Sequence, residues 1–440
     1  MPVFTSSIEV TADYPTIKPS LNLNFARARA LDPRITFTRA SVGTYFGRDG
    51  LIKTAGEDEA RFDHDPDTLE SLGLLIEESR TNSLPYSSDI VGQSNWLRAG
   101  VTTVAATSII APDGSTDTVG LRSDGSNGQH TLFDDVSVSN ITSTYTASCW
   151  VKAGTKNYAE LFANGAGTPG AITIAYKYDL VNKTVEYTGA AVFSAGTSAT
   201  ITEYPNGWFR ITMTGDVADT ATGAGTYRFH IRARTDISGE YQGDNTDGIY
   251  IWGPQLELGS FPTSYIPTSG SSVTRGADFG SITGESFSNF FNQSEGTFDV
   301  GYRLGYNNVG MRVCQISNQN SNTAIDLVVG SGGGAGGYWY ILTGGSAQFS
   351  SSGVVNSAQV DRNFRCVLAY KENDCAAQQN KISTISTDTS VTLATDYNKL
   401  LFYQIANGGD QITGHLKYIR YYPKRITNAQ VTQLSQDGNV

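Results

Sequence analysis

Hydrophobic and polar residues alternate along several short stretches between residues 95 and 255. In "TYTASCWVKAG" the apolar residues Ala147, Cys149 and Val151 fall on one side of an extended chain, and Trp150 falls on the other. The stretches "GWFRITMTG", "TYRFHIRAR" and "GIYIWGPQLEL" repeat this pattern. Because successive side chains of a strand point to opposite faces, the pattern predicts β-strands that each bury one face.

A second series of β-type runs, separated by Gly, Asn and Ser, follows residue 294. No long stretch shows a helical period. The predicted fold is therefore all-β, with two antiparallel jelly-roll or β-sandwich domains in tandem, an irregular N-terminal β segment and a short C-terminal helix. The helix is expected near the C terminus, because Thr427 and Gln430 have the spacing of a capping box.

These patterns divide the chain into an N-terminal segment (1–90), a first sandwich (91–258), a connector (259–277) and a second sandwich (278–440). The N-terminal segment is expected to contain a hairpin that turns at Arg48-Asp49-Gly50. The connector is rich in Ser, Thr and Pro, so we expect an extended, solvated link. The first 20 residues have the composition of an arm that becomes ordered on a partner. Whether residues 1–90 fold alone, wrap the second sandwich or serve as an anchor stays open.

Composition and charge exclude several function classes. The chain has 440 residues and a net charge of −11, which argues against nucleic acid as a partner because phosphate binding needs clustered Lys and Arg. No signal peptide is recognised behind Met1, and no apolar stretch approaches the length that membrane insertion needs. The four cysteines, Cys149, Cys314, Cys366 and Cys375, have no CxxC or metal-finger spacing, so we expect free structural thiols.

Several blocks of the sequence resemble phage head-fibre and tail-fibre proteins. They are "LNFARARALDPRITFTRASVGTYFGRDGLIKTAG", "RFDHDP", "LGLLIEESRTN" and "WGPQLELGSFPTSYIPTSGSSVTRGAD". In that family a jelly roll similar to carbohydrate-binding modules commonly lies between these blocks. The closing "LKYIRYYPKRITNAQVTQLS" resembles the end of concanavalin- or laminin-G-like sandwiches in the same proteins. The resemblance implies that residues 91–258 are a carbohydrate-binding-like jelly roll and that residues 278–440 are a concanavalin/laminin-G-like sandwich.

The outward positions of the first sandwich supply a candidate glycan site. Aromatic rings can cover the C–H surface of a sugar, polar groups satisfy its hydroxyls, and arginine recognises the carboxylates of acidic polysaccharides. The alternative is that the tryptophans pack against the N-terminal segment or a neighbouring subunit. The candidate residues are Trp150, Trp208, Arg210, Arg228, His230, Arg232 and Trp252.

Three further motifs contain residue types that can carry chemistry. "GDNTDG" offers Asp244, Asn245 and Asp247 as oxygen ligands for calcium, although the same residues are typical of a tight turn. "RFDHDPD" lacks the spacing of a metal site and the nucleophile motif of a triad, so a turn is expected there. "GSGGGAGG" lacks the Lys-Ser/Thr of a phosphate loop and is expected to be a loop tip.

The sequence therefore predicts a non-enzymatic phage virion fibre or fibre-associated protein that attaches to the host surface, through polysaccharide. Expected partners are other virion proteins, host polysaccharide and copies of the chain itself, with a trimer implied by the resemblance. The protein would be made in the host cytoplasm and displayed on the phage exterior, with no required cofactor. One alternative is a structural decoration or adaptor protein. The other is a polysaccharide depolymerase, although the ExDxxE strand signature of concanavalin-like hydrolases is absent.

Overall fold

The computed structural model describes residues 15–166, 173–189, 197–217, 223–236, 239–306, 310–318, 322–329, 337–351, 362–380, 384–402 and 412–436. The regular structure in these ranges is almost entirely antiparallel β-strand, with two short helices and one 3-10 turn, which confirms the all-β prediction. Most of the glycine run that is expected to be a loop tip and most of the N-terminal arm lie outside the described residues.

The N-terminal segment contains seven strands, two of which form the predicted hairpin. Gly43 pairs with Ala55 and Phe46 with Ile52 across the expected turn. The strands are β1 (Leu21–Asn24), β2 (Thr36–Thr38), β3 (Gly43–Phe46), β4 (Ile52–Ala55), β5 (Phe62–His64), β6 (Ser71–Ile76) and β7 (Arg80–Asn82).

The first sandwich consists of two sheets that pack face to face. The sheet with the strand order β16-β17-β12-β20-β10-β9 is called the tryptophan sheet here, and the sheet with the order β15-β14-β13-β18-β11-β19, extended by β8 on β11, the arginine sheet. The strands are β8 (Leu97–Ala99), β9 (Val101–Ala105), β10 (Val119–Ser123), β11 (Asn127–Val138), β12 (Tyr145–Ala153), β13 (Tyr158–Ala166), β14 (Thr173–Asp179), β15 (Thr184–Tyr187), β16 (Ser198–Tyr204), β17 (Trp208–Gly215), β18 (Gly225–Arg234), β19 (Glu240–Gln242) and β20 (Asp247–Leu258), with the 3-10 turn at Pro205–Gly207.

The second sandwich follows in the chain and includes both helices. Its strands are β22 (Phe279–Thr283), β23 (Glu295–Leu304), β24 (Arg312–Ser317), β25 (Ala324–Val329), β26 (Gly337–Thr343), β27 (Ser346–Ser350), β28 (Asn363–Lys371), β29 (Cys375–Gln379), β30 (Ser386–Asp388), β31 (Lys399–Phe402) and β32 (Gly414–Tyr422), and its helices are α1 (Gly284–Ser288) and α2 (Asn428–Gln436). The connector strand β21 (Val273–Arg275) belongs to a separate two-stranded sheet. The predicted capping box begins α2: the Thr427 backbone N–H donates to Gln430 Oε1 at 3.1 Å, and the Gln430 N–H donates to Thr427 Oγ1 at 3.2 Å.

Strands of the N-terminal segment complete both sheets of the second sandwich. Strands β1 and β6 both pair with β32, with Leu21 opposite Tyr421 and Leu74 opposite Leu416, and β5 pairs with β6. On the other sheet β2 pairs with β22. The side chains of β1 and β6 that face inward belong to the core of the second sandwich.

The segment expected to be a solvated connector is packed into the protein instead. Phe261, Tyr265 and Ile266 are all less than a tenth exposed, and β21 pairs with β7. Its hydroxyl side chains bond to buried groups, for example Thr263 Oγ1 to Glu257 Oε1 at 2.5 Å and Ser264 Oγ to Glu77 Oε2 at 2.6 Å. Thr263 and Ser264 therefore serve interior hydrogen bonding, whereas Ser269, Ser271 and Ser272 are exposed.

The four cysteines are free and buried, as predicted. In the ranges given above no helix combines the length and the apolar character needed to cross a bilayer.

Candidate functional site

The structure separates the predicted glycan-site residues onto opposite sides of the first sandwich. Trp150 lies opposite Arg210 on one neighbouring strand and opposite Trp252 on the other, all on the outer face of the tryptophan sheet. Arg228 and Arg232 belong to β18, on the outer face of the arginine sheet. The alternation predicted the outward direction correctly but does not reveal which sheet a strand joins, so these residues cannot form one site.

The three tryptophans are also buried. Trp150 and Trp208 are 1% exposed and Trp252 is 5% exposed. The Trp150 and Trp252 rings lie 5.3 Å apart, and the Tyr265 ring packs against both. Ile52 of the N-terminal hairpin completes this bridging cluster (Ile52, Ala111, Trp150, Trp208, Trp252 and Tyr265). These rings attach the tryptophan sheet to the rest of the chain and offer no surface to a sugar.

The cations on the arginine sheet have acidic partners within the same sheet. Arg228 Nε and Asp135 Oδ1 are 2.5 Å apart, and Glu160 binds both Arg232, at 3.1 Å, and Arg234. His230 stacks 4.8 Å from the Phe133 ring. Burial and the neighbouring arginine charges lower the pKa of His230 to about 3, so this histidine is neutral near pH 7.

The calcium candidate is a turn whose carboxylates already bind side-chain cations. Asp244 Oδ2 lies 2.8 Å from Lys156 Nζ, and Asp247 Oδ1 lies 2.8 Å from Arg122 Nε. Asn245 has a positive φ of 59°, which is typical of turns. Among the described residues no group of three His, Cys, Asp or Glu side chains could hold a metal ion. The residues therefore serve the turn and do not converge on a cation.

A cleft that the sequence did not predict lies where the two sandwiches and the N-terminal segment meet. It has a volume of about 880 Å³, and we call it the interdomain cleft. Its walls are the turn at 63–68, the start of the connector at 260–262 and the end of β23 at 303–306. Its floor is a patch of hydroxyl side chains on β16 and β17, namely Ser198, Thr200, Thr202, Thr212 and Thr214.

Aromatic rings stand at two places on the border of the cleft. Tyr204 stacks on Phe46 with 5.3 Å between ring centroids, and Tyr306 stacks on Phe261 at 4.0 Å. The Tyr306 hydroxyl also lies 2.9 Å from Ser260 Oγ. Each pair joins different parts of the chain, so the rings are held in place by the same contacts that hold the walls together.

The cleft continues inward to a smaller chamber of about 160 Å³. The two spaces share the lining residues Phe46, Asp63 and Arg210. At the inner end His415 Nε2 lies 2.7 Å from Asp63 Oδ2, which links the N-terminal segment to β32. Arg210 occupies the junction: its guanidinium lies 4.5 Å from the Trp150 ring, and its Nη2 donates to the backbone oxygen of Thr263 at 2.7 Å.

A buried ion network fixes the walls of the cleft behind this chamber. Arg61 lies 2.7 Å from Glu77 and 2.5 Å from Asp278, and Arg39 lies 3.0 Å from Asp278. Burial alone raises the pKa of Glu77, but the charges of Arg275 and Arg61 outweigh it and hold the pKa well below its usual range. Since Arg61, Glu77 and Asp278 come from three parts of the chain, the network holds those parts in one arrangement.

No protein-family model and no curated protein sequence matches this chain. Among solved structures it is similar to the CBM40 module of a Ruminococcus gnavus sialidase bound to α2,3-sialyllactose, with 12% identity, 33% of this chain and 84% of that chain covered, and a TM-score of 0.28. It is also similar to domain 4 of a Geobacillus stearothermophilus arabinanase, with 10% identity, 40% of this chain and 82% of that chain covered, and a TM-score of 0.30. A third similar structure is a Limulus polyphemus pentraxin, with 14% identity, 33% of this chain and 71% of that chain covered, and a TM-score of 0.27. Similarity at this level carries no information about a ligand.

Proposed function

We propose that the protein is the adhesion component of a phage fibre and that it binds a surface polysaccharide in the interdomain cleft. The observation that carries the binding proposal is the combination of a hydroxyl-rich floor with two stacked aromatic pairs at the border. The fibre assignment is supported by the sequence blocks that resemble phage head-fibre and tail-fibre proteins.

The chemistry of the cleft suits a polyhydroxylated ligand. Hydroxyl side chains both donate and accept hydrogen bonds, so the floor can satisfy sugar hydroxyls in either orientation. The rings of Tyr204 and Tyr306 are half-buried, which leaves part of each ring available to the C–H face of a sugar. The cleft volume lies within the range of roughly 300–1,000 Å³ that is typical of ligand pockets.

A site built from neutral hydroxyls and aromatic rings binds one chain weakly, because each hydrogen bond replaces one to water. We propose that the fibre is a homo-oligomer, a trimer by family resemblance, which presents several clefts to one repeating polysaccharide. Linked sites raise the apparent affinity by about 10²–10⁴-fold without new contacts.

The test is saturable binding of the purified protein to an array of bacterial surface polysaccharides. Thr200 and Thr202 are exposed on the cleft floor. Thr202→Val removes an exposed hydroxyl, and Thr200→Val also removes the 2.7 Å hydrogen bond between Thr200 Oγ1 and Thr212 Oγ1. The double variant should bind about tenfold more weakly to a polysaccharide that the unmodified protein retains. Thr184→Val is the matched control, since Thr184 is exposed on β15 of the other sheet.

Two results would overturn the proposal. One is an unmodified, folded oligomer that binds no polysaccharide on the array, which would favour a structural virion component. The other is a double variant that binds as tightly as the Thr184→Val control.

A further inference from the structure

Arg210 is held at the junction of the cleft and the inner chamber without an acidic partner. Its hydrogen bonds go to the Thr263 backbone oxygen and to Ser148 Oγ, which are both neutral acceptors, and its Nε is buried without a partner. Within the part of the chain that the structure describes, no carboxylate lies within 4.0 Å of its guanidinium nitrogens. A half-buried guanidinium without a counter-charge has lost hydration that only an anion restores fully.

Other buried arginines of the protein do have carboxylate partners. Arg61 binds two acids, and Arg365 forms two hydrogen bonds of 2.8 Å to Asp299. Arg39 and Arg232 each bind one acid. Arg98, which is half-buried like Arg210, also bonds only neutral acceptors, but among the described residues Arg210 is the arginine that borders both cavities.

Asp63, Asp65 and Glu203, which line the cleft, are engaged by donors other than Arg210, and the exposed Asp67 of the same lining does not lie within 4.0 Å of its guanidinium nitrogens. Asp63 binds His415 and the Phe46 backbone N–H, and Asp65 accepts the backbone N–H groups of its own turn. Glu203 pairs with Lys183 at 2.5 Å. Each of these acids already has a donor, so none of them needs Arg210.

The guanidinium is also held in one position before any ligand arrives. It lies over the Trp150 ring, which is itself buried in the bridging cluster, and the Thr263 carbonyl fixes one of its nitrogens. A fixed arginine loses little side-chain entropy on binding a carboxylate, which increases the net gain.

We infer that the polysaccharide bound in the cleft is acidic and that a sugar carboxylate binds the guanidinium of Arg210 while the ring hydroxyls contact the threonine floor. This inference rests on the proposed function and specifies its ligand class. The carboxylate would receive charge-assisted hydrogen bonds, which discriminate strongly against a neutral sugar of the same shape.

The experiment compares polygalacturonate, hyaluronan and polysialic acid, each with its carboxyl-reduced form, by calorimetry on the full-length oligomer. At least one acidic polymer should bind about ten- to a hundredfold more tightly than its reduced form. Arg210→Gln should remove this preference while binding to the reduced form persists, and Arg210→Lys should retain part of it because the charge remains. Arg228→Gln, on the opposite face of the sandwich, is the matched control and should keep the full preference.

The outcomes separate the two proposals. If a polymer and its reduced form bind equally and Arg210→Gln changes neither, the ligand is a neutral glycan, and the carboxylate inference is wrong while the proposed function stands. If none of the six preparations binds the folded protein, the acidic-glycan inference fails, and the polysaccharide array then decides the proposed function on its own. Equal loss of preference in Arg228→Gln would also contradict the assignment to Arg210.

Discussion

Replacing Trp208 by alanine tests whether the tryptophan face is interior. The ring is 1% exposed in the bridging cluster, and its Nε1 donates to the backbone oxygen of Ile110 at 2.9 Å. Removing a buried ring of this size costs about 3–5 kcal/mol, because the contacts are lost and the cavity closes only partly. The orphaned carbonyl of Ile110 adds up to about 1 kcal/mol unless water reaches it.

The assay is urea unfolding followed by near-ultraviolet circular dichroism, with Trp208→Phe and Val181→Ala as comparisons. Trp208→Ala should lower the free energy of unfolding of the first sandwich by about 4 kcal/mol. Trp208→Phe keeps most of the packing, so its free energy of unfolding should fall by only about 1–2 kcal/mol. Val181 is 59% exposed, so its replacement should change stability by less than about 0.5 kcal/mol.

A Trp208→Ala protein with an unchanged unfolding midpoint and weakened glycan binding would refute this reasoning. Such a result would mean that the ring lies on an accessible ligand surface, as in the glycan-site interpretation of the outward tryptophans.

Three other substitutions test separate parts of the fold. Burial raises the pKa of Asp134 to about 6, so ionisation of this carboxyl destabilises the folded state as pH rises from about 4 through 6. Above pH 7, Asp134→Asn should therefore be about 1–2 kcal/mol more stable than the unmodified protein, and below pH 4 it should show no gain. A stability difference that does not change with pH would contradict this. Glu77→Gln removes the carboxylate that Arg61 and Arg275 share and should lower the free energy of unfolding, measured by thermal unfolding, by about 3–5 kcal/mol. A decrease of less than about 1 kcal/mol would show that the network is solvated. Gly73 has a φ of +104°, and a Cβ there would lie 2.2 Å from the Leu416 backbone oxygen. Gly73→Ala should therefore weaken the pairing of β6 with β32 and speed amide hydrogen exchange in β5 and β6. Unchanged exchange would contradict this placement of the two strands.

The sequence predicts the features of this fold that depend on neighbouring residues. Alternation located the strands and their inward faces, and the spacing of Thr427 and Gln430 located the final helix with its capping bonds. Both patterns act within a few residues, where backbone geometry fixes which side chains can meet.

Contacts between distant parts of the chain were not predictable in this way. Leu21 pairs with Tyr421 across the whole length of the protein, and no local pattern specifies that partner. The connector misled the prediction because Ser and Thr are equally suited to water and to buried acceptors. Its hydroxyls meet Glu77 and Glu257, whose positions depend on the assembled fold.

Part of the candidate site is predictable from the sequence, because strand alternation shows which side chains face outward. The outward position of Arg210 on β17 identifies it as a candidate, and the alternate Thr residues of β16 and β17 are the sequence signal for the hydroxyl floor. Tyr204 and Tyr306 could not be assigned to the site, since each borders the cleft only because the two sandwiches pack beside the N-terminal segment.

The most direct test of polysaccharide binding in the cleft is hydroxyl-radical footprinting of the aromatic rings with and without a polysaccharide that the protein retains. Tyr204 and Tyr306 border the cleft, whereas Phe133 and Phe162 are similarly half-buried rings on the arginine sheet. The cleft account predicts that the polysaccharide lowers the oxidation of Tyr204 and Tyr306 and leaves Phe133 and Phe162 unchanged. Protection of Phe133 and Phe162 with unaltered oxidation of the two tyrosines would contradict it.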